Sequence, residues 1–160
     1  MTKLILINFD VIFKDKTHVR DGVFDFLERY KSKRIALLSY ENRNLTTSAL
    51  KITGLFNKIE RIYSQENMGC VKIPNSDGYY PQPMLIAWIR ADFDINEKDA
   101  IVISNSYFDK IATEWYNIKM IEVPSPEKTF KLDISIDSWY NKLIFFNKQI
   151  QNKPLRIGYA

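Results

Sequence analysis

The sequence predicts an α/β domain, a three-layer sandwich with a central parallel sheet of about five strands and helices on both faces. Three observations predict it. Short continuous apolar runs, Leu4–Ile7 and Ile35–Leu38 foremost, have the length and composition of strands buried on both faces. Between such runs lie segments whose apolar residues recur at helical spacing, as in Val23, Phe24, Phe26, Leu27 and Tyr30. The two patterns alternate along the chain, the signature of βαβ units.

In chain order, Lys3–Phe9 reads as the first buried strand, Asp21–Lys31 as a helix and Arg34–Ser39 as the second strand. Thr46–Gly54 reads as a helix closed by Gly54, a residue suited to the left-handed cap. Lys58–Ser64 is a shorter third strand, followed by a polar, Gly-containing connection from Gln65 to Tyr80. Pro81 and Pro83 open a helix over Met84–Phe93, near the first turn, where a missing N–H costs nothing. Asp99–Ser104 is the fourth strand, Tyr107–Tyr116 a helix and Ile118–Val123 the fifth strand. Pro124 and Pro126 then break the alternation. Asp137–Ile150 predicts a final helix with Trp139, Leu143, Phe146 and Ile150 on one stripe, and an apolar tail follows from Asn152 to Ala160. The division is therefore a core over 1–124 and a C-terminal helix and tail over 125–160, within a single domain.

With 160 residues, 46% hydrophobic and 26% charged, the chain is of a size and composition that bury a core. No apolar run approaches the ~20 residues that span a bilayer, and no signal peptide is expected. Cys70 is the sole cysteine, which fits a cytoplasmic or other reducing intracellular compartment. The net charge of +4 comes from Lys and Arg scattered among acids, unlike the clustered charge of a committed nucleic-acid binder. His18, the only histidine, stands in the charged loop Lys14–Arg20, so His-rich zinc sites and a Ser-His-Asp triad are not expected. A P-loop and a Gly-rich dinucleotide fingerprint are also missing.

In a parallel sheet, ligands bind beyond the carboxyl ends of the strands. Those ends are Asn8-Phe9-Asp10, Ser39 and Ser104-Asn105-Ser106, the last leading to Asp109, with Tyr80-Pro81-Gln82-Pro83 between. In this order and spacing, over about residues 3–123, the chain resembles a capless phosphatase of the haloacid dehalogenase-like (HAD) superfamily. The resemblance implies a Rossmann-like sandwich without a cap domain. It also implies roles for the motif positions. Asn8 stands where the family has its nucleophilic Asp, and Asp10 where it has the general acid/base. Ser39 fits the Ser/Thr of the second motif. Tyr80 stands where the family's Lys would be, with Lys72 the nearest substitute. Asn105 replaces the first Asp of the fourth motif, and Asp109 keeps its last. Val11-Ile12 replaces the usual Gly-Thr.

These departures bear on the chemistry. An amide at Asn8 is a very poor nucleophile and cannot form an aspartyl phosphate. Asn105 removes a carboxylate from the expected Mg²⁺ site. Unit charges ~4 Å apart interact by about 4 kcal/mol at an effective dielectric near 20, and a divalent ion roughly doubles this. Hence no catalytic residue, no cofactor and no metal are expected, and Asn8, Asp10 and Asn105 form a vestigial metal site. The expected function is that of a pseudophosphatase, a binding or structural module for a macromolecular partner, protein rather than nucleic acid and not a membrane. A second copy of the chain is one such partner. Candidate anchors for the macromolecular partner are Trp139, Tyr140, Phe145, Leu155, Arg156 and Tyr159, a set in which aromatic and Arg residues, the usual interface anchors, predominate. Two alternatives remain: a divergent Mg²⁺-dependent phosphatase for a large phosphorylated substrate, whose turnover would depend on Asp10, and a phosphate or nucleotide sensor using Ser39 and the N–H groups near Asn105. Purely structural roles are a carboxylate bonded by its own turn for Asp10, a loop cap for Ser39, a solvated charge for Lys72 and a helix-dipole contact for Asp109.

Overall fold

The structure, a computed structural model, describes residues 2–15, 17–67, 71–72, 79–80, 84–123 and 131–136. The expected C-terminal helix and tail, with Trp139, Tyr140, Phe145, Leu155, Arg156 and Tyr159, lie outside the described residues, as do Cys70, Pro81 and Pro83.

The first apolar run forms strand β1 (Leu4–Asn8), buried along its whole length. It ends one residue earlier than the pattern predicts, because Phe9 opens a one-turn helix α1 (Phe9–Ile12). The run continues as β2 (Phe13–Asp15), which pairs antiparallel with β3 (His18–Val19) where a loop was expected. Helix α2 (Val23–Arg29), strand β4 (Arg34–Leu38) and helix α3 (Arg43–Thr53) follow. Strand β5 (Arg61–Tyr63) is next, and a small hairpin pairs β6 (Val71–Lys72) with β7 (Tyr79–Tyr80). Helix α4 (Met84–Phe93), strand β8 (Ala100–Ser104), helix α5 (Tyr107–Trp115) and strand β9 (Lys119–Glu122) complete the described core.

The main sheet has five strands in the order β5-β4-β1-β8-β9, and every pair is parallel. The fold is the predicted α/β sandwich. Side chains of a strand alternate between its two faces, and here each face has its own core. Ile5 and Ile7 of β1 pack in one cluster with Val23, Phe26 and Leu27 of α2 and with Ala49 and Leu50 of α3. Leu4 and Leu6 pack in the other, with Leu85, Ile86, Ile89 and Phe93 of α4 and Ala112 of α5. A strand with two such faces has no use for polar residues, which is why β1, β4 and β8 read as unbroken apolar runs.

Residues 131–136 belong to the first cluster through Leu132 and Ile136. The Leu132 N–H donates to the Asp21 carbonyl at 2.7 Å, and the Ile136 N–H donates to the Tyr30 hydroxyl at 3.0 Å. Lys119 Nζ at the start of β9 donates to the Ile136 carbonyl at 3.0 Å. This segment therefore ties the β9 edge to α2. No helix among the described residues is long and apolar enough to cross a membrane.

Candidate functional site

The register of the central strands brings the ends of β1, β4 and β8 side by side. Asn8 lies opposite Leu38, and Ile7 opposite Leu37 and Ile103. Beyond these ends stand Asn8, Ser39, Tyr40 and Ser104, with the first turn of α5 above them. The centre of the group is Asp109, which is buried.

Three donors converge on the Asp109 carboxylate. Asn8 Nδ2 donates to its Oδ2 at 2.9 Å and Ser104 Oγ donates to the same oxygen at 2.6 Å. The Tyr40 hydroxyl donates to Oδ1. Each donor is itself held. Asn8 Oδ1 accepts the Asp10 N–H at 2.9 Å and so caps α1. Ser104 Oγ accepts the Ser106 N–H at 2.9 Å. Ser106 Oγ donates to the Tyr40 hydroxyl at 3.3 Å and accepts the Phe108 N–H at 3.2 Å, capping α5. Asn8 is suited to its place because one arm of its amide must accept and the other must donate. An Asp there could accept from the Asp10 N–H but would face Asp109 with like charge.

The electrostatics follow from burial. Loss of solvent raises the Asp109 pKa above the ordinary carboxylate range, while the hydrogen bonds from Ser104, Tyr40 and Asn8 oppose the rise. The Tyr40 hydroxyl is held in its protonated form, first by burial and then by the Asp109 charge. Asp10, next to Asn8, is exposed. Desolvation of its carboxyl, then the charges of Glu41 and Asp109, raise its pKa.

Of the sequence-predicted residues, the structure brings Asn8 and Asp109 into direct contact and places Asp10 beside them. Asp109 differs from its expected role: three side-chain donors, not the helix dipole alone, hold it. For Asp10, its own N–H serves Asn8, and no hydrogen bond to its carboxylate is found among the described residues. Ser39 is buried and turned toward α3, with its Oγ 2.7 Å from Thr46 Oγ1 and accepting the Glu41 N–H at 3.2 Å. Asn105 is half-buried and outside the network around Asp109. Lys72 and Tyr80 are strand residues of the β6–β7 hairpin, and their side chains lie outside the described ones. Tyr40 was not predicted, and Ser104 was named as a strand end without a role. For Ser104 a signal existed, a hydroxyl side chain where the fourth motif of the HAD superfamily carries Gly. For Tyr40 there was only its position after Ser39.

The resemblance implies a Mg²⁺ ion at these strand ends, and the residues present fit one poorly. Asn8 turns its N–H toward the buried Asp109 carboxylate, Asn105 is neutral, and each oxygen of Asp109 already accepts from at least one donor. Among the described residues, no three His, Cys, Asp or Glu side chains gather so as to hold a metal ion.

No family model matches the sequence, and no curated protein matches it. Solved structures match it in shape. A HAD-superfamily hydrolase (subfamily IA, variant 1) from Geobacter sulfurreducens PCA superposes with a TM-score of 0.61 at 9% identity, covering 90% of this chain and 98% of that one. An uncharacterized protein from Listeria monocytogenes serotype 4b gives a TM-score of 0.61 at 15% identity, covering 93% and 99%. A predicted phosphoglycolate phosphatase from Haemophilus somnus 129pt gives 0.55 at 12% identity over 74% of this chain, which spans 49% of that protein. Likeness at these identities is likeness of fold. The parallel five-stranded sheet, its two helical layers and these superpositions give the same answer: this chain has a haloacid dehalogenase-like fold.

Proposed function

We propose that this chain is a HAD-like module that binds a macromolecular partner and does not hydrolyse phosphate esters. The observation that carries the proposal is Asn8. It stands at the end of β1, where phosphoryl transfer on this fold needs an anionic nucleophile, and both arms of its amide are already engaged, one with the Asp10 N–H and one with Asp109. An amide so placed presents no anionic oxygen to phosphorus and is a very poor nucleophile.

A protein is the favoured partner. Large aromatic side chains stand exposed on α4 and α5, namely Trp88, Tyr107 and Trp115, and such residues commonly anchor protein interfaces. The C-terminal residues Trp139, Tyr140, Phe145, Leu155, Arg156 and Tyr159 are proposed as further anchors. The lone Cys70 supports a reducing compartment.

A second reading, a divergent phosphatase for a large phosphorylated substrate, is favoured by Asp10 alone, an exposed carboxyl next to Asn8 whose raised pKa suits proton transfer. Turnover of an aryl phosphate and of phosphopeptides with Mg²⁺ separates the two. The proposal expects the wild-type chain and Asp10→Ala to match the protein-free blank. Mg²⁺-dependent turnover that Asp10→Ala removes would establish the phosphatase instead.

A further inference from the structure

We infer that Asn8, Tyr40 and Ser104 stand in for a divalent cation around the Asp109 carboxylate, so that the strand-end pocket keeps its shape without metal. The inference rests on the reading of this pocket as non-hydrolytic and adds how the pocket is held.

A buried carboxylate must be compensated by a cation or by hydrogen-bond donors. Lys110, the cation adjacent in sequence, is committed to Glu122 at 2.9 Å. Donors fill the need: two protons reach Oδ2, from Asn8 and Ser104, and one reaches Oδ1, from Tyr40. They arrive from three places, the ends of β1 and β8 and the residue beyond Ser39, while Asp109 belongs to α5. One carboxylate thus fastens four parts of the fold that a bridging ion would otherwise hold together. Tyr40 completes the arrangement, since it crosses from the β4 side to α5 and is fixed there by Ser106 as well. A cation entering here would compete with these three donors for the Asp109 oxygens.

The test is thermal unfolding of the full chain in EDTA and in Mg²⁺, with Mn²⁺ electron paramagnetic resonance as a direct count of bound ion. The expected result is the same Tm in both buffers and a free-Mn²⁺ signal that the protein does not diminish. Asn8→Asp is expected to lower Tm in EDTA at neutral pH. Tyr40→Phe, a smaller change that keeps the ring, is expected to lower it by roughly 4–8 °C. A saturable rise in wild-type Tm with Mg²⁺, or loss of the Mn²⁺ signal that Asp109→Asn abolishes, overturns the inference. So does a Tyr40→Phe protein as stable as wild type. Because these readouts do not involve turnover, metal binding without hydrolysis would sink the inference and leave the proposed function standing. Hydrolysis by a metal-free pocket would do the reverse.

Discussion

Asp109 sits at the convergence of three side-chain donors, and its protonation links the pocket to pH. Its folded-state pKa lies above the ordinary carboxylate range because burial outweighs the donors. Between that range and the raised value, the folded chain holds a proton that the unfolded chain has released. Stability therefore falls as pH rises through this window and is greatest below it. Asp10 acts in the same direction, more weakly because it is exposed. Asp15, Glu28 and Glu66 are shifted downward by their hydrogen bonds, and being exposed they matter little and only at lower pH. The urea midpoint is expected to fall as pH rises through this window, and Asp109→Asn is expected to flatten the fall. A wild-type midpoint that climbs with pH would contradict this assignment. At this scale the sequence was half informative. Asn8, Asp10 and Asp109 were legible as strand-end and helix-start residues. Tyr40 was not, because its partner Asp109 is 69 positions away and only the folded sheet brings them together.

Elements depend on how their ends are closed. Helix α3 starts at Arg43, three residues before the predicted start, because Asn42 Oδ1 accepts the Leu45 N–H at 2.8 Å and caps it. Its far end closes on Gly54 in the left-handed conformation, φ 79°, as predicted, and a methyl group there would meet open space. Gly54→Ala is therefore expected to cost about 1 kcal/mol from backbone strain alone, measured by urea unfolding. Gly22 is a different case. Its φ is also left-handed, at 89°, but an added Cβ would press on the Leu132 carbonyl oxygen. Gly22→Ala is expected to cost more than Gly54→Ala and to speed hydrogen exchange at the Leu132 N–H, which bonds to Asp21. Equal costs, with Leu132 protection unchanged, would mean that the 131–136 segment does not brace α2. The central strands β1, β4 and β8 were legible because burial on both faces leaves an apolar run, and the edge strands β5 and β9 from the alternation of strands and helices. Helix α1 and the β2–β3 hairpin were not, since the mostly apolar Phe9–Phe13 follows β1 directly and so short a segment does not reveal its period.

The whole molecule is a parallel sheet that brings chemistry to one end and then closes that end with its own side chains. Alternating strands and helices made the sandwich legible, and the rule that ligands bind beyond the carboxyl ends of parallel strands pointed to the end where Asn8, Ser104 and Asp109 meet. The closure could not be read, because it depends on hydrogen bonds between residues as distant as Asn8 and Asp109, 101 positions apart. Its functional consequence is that the site can offer phosphorus no anionic oxygen from Asn8. A beryllium fluoride complex, which imitates a phosphoryl group bound to a carboxylate oxygen in the presence of Mg²⁺, probes that consequence without requiring a substrate. Isothermal titration of the full chain with this complex is expected to give no heat of binding, in wild type and in Asp10→Ala alike. Saturable, Mg²⁺-dependent binding to wild type that Asp10→Ala abolishes would contradict it.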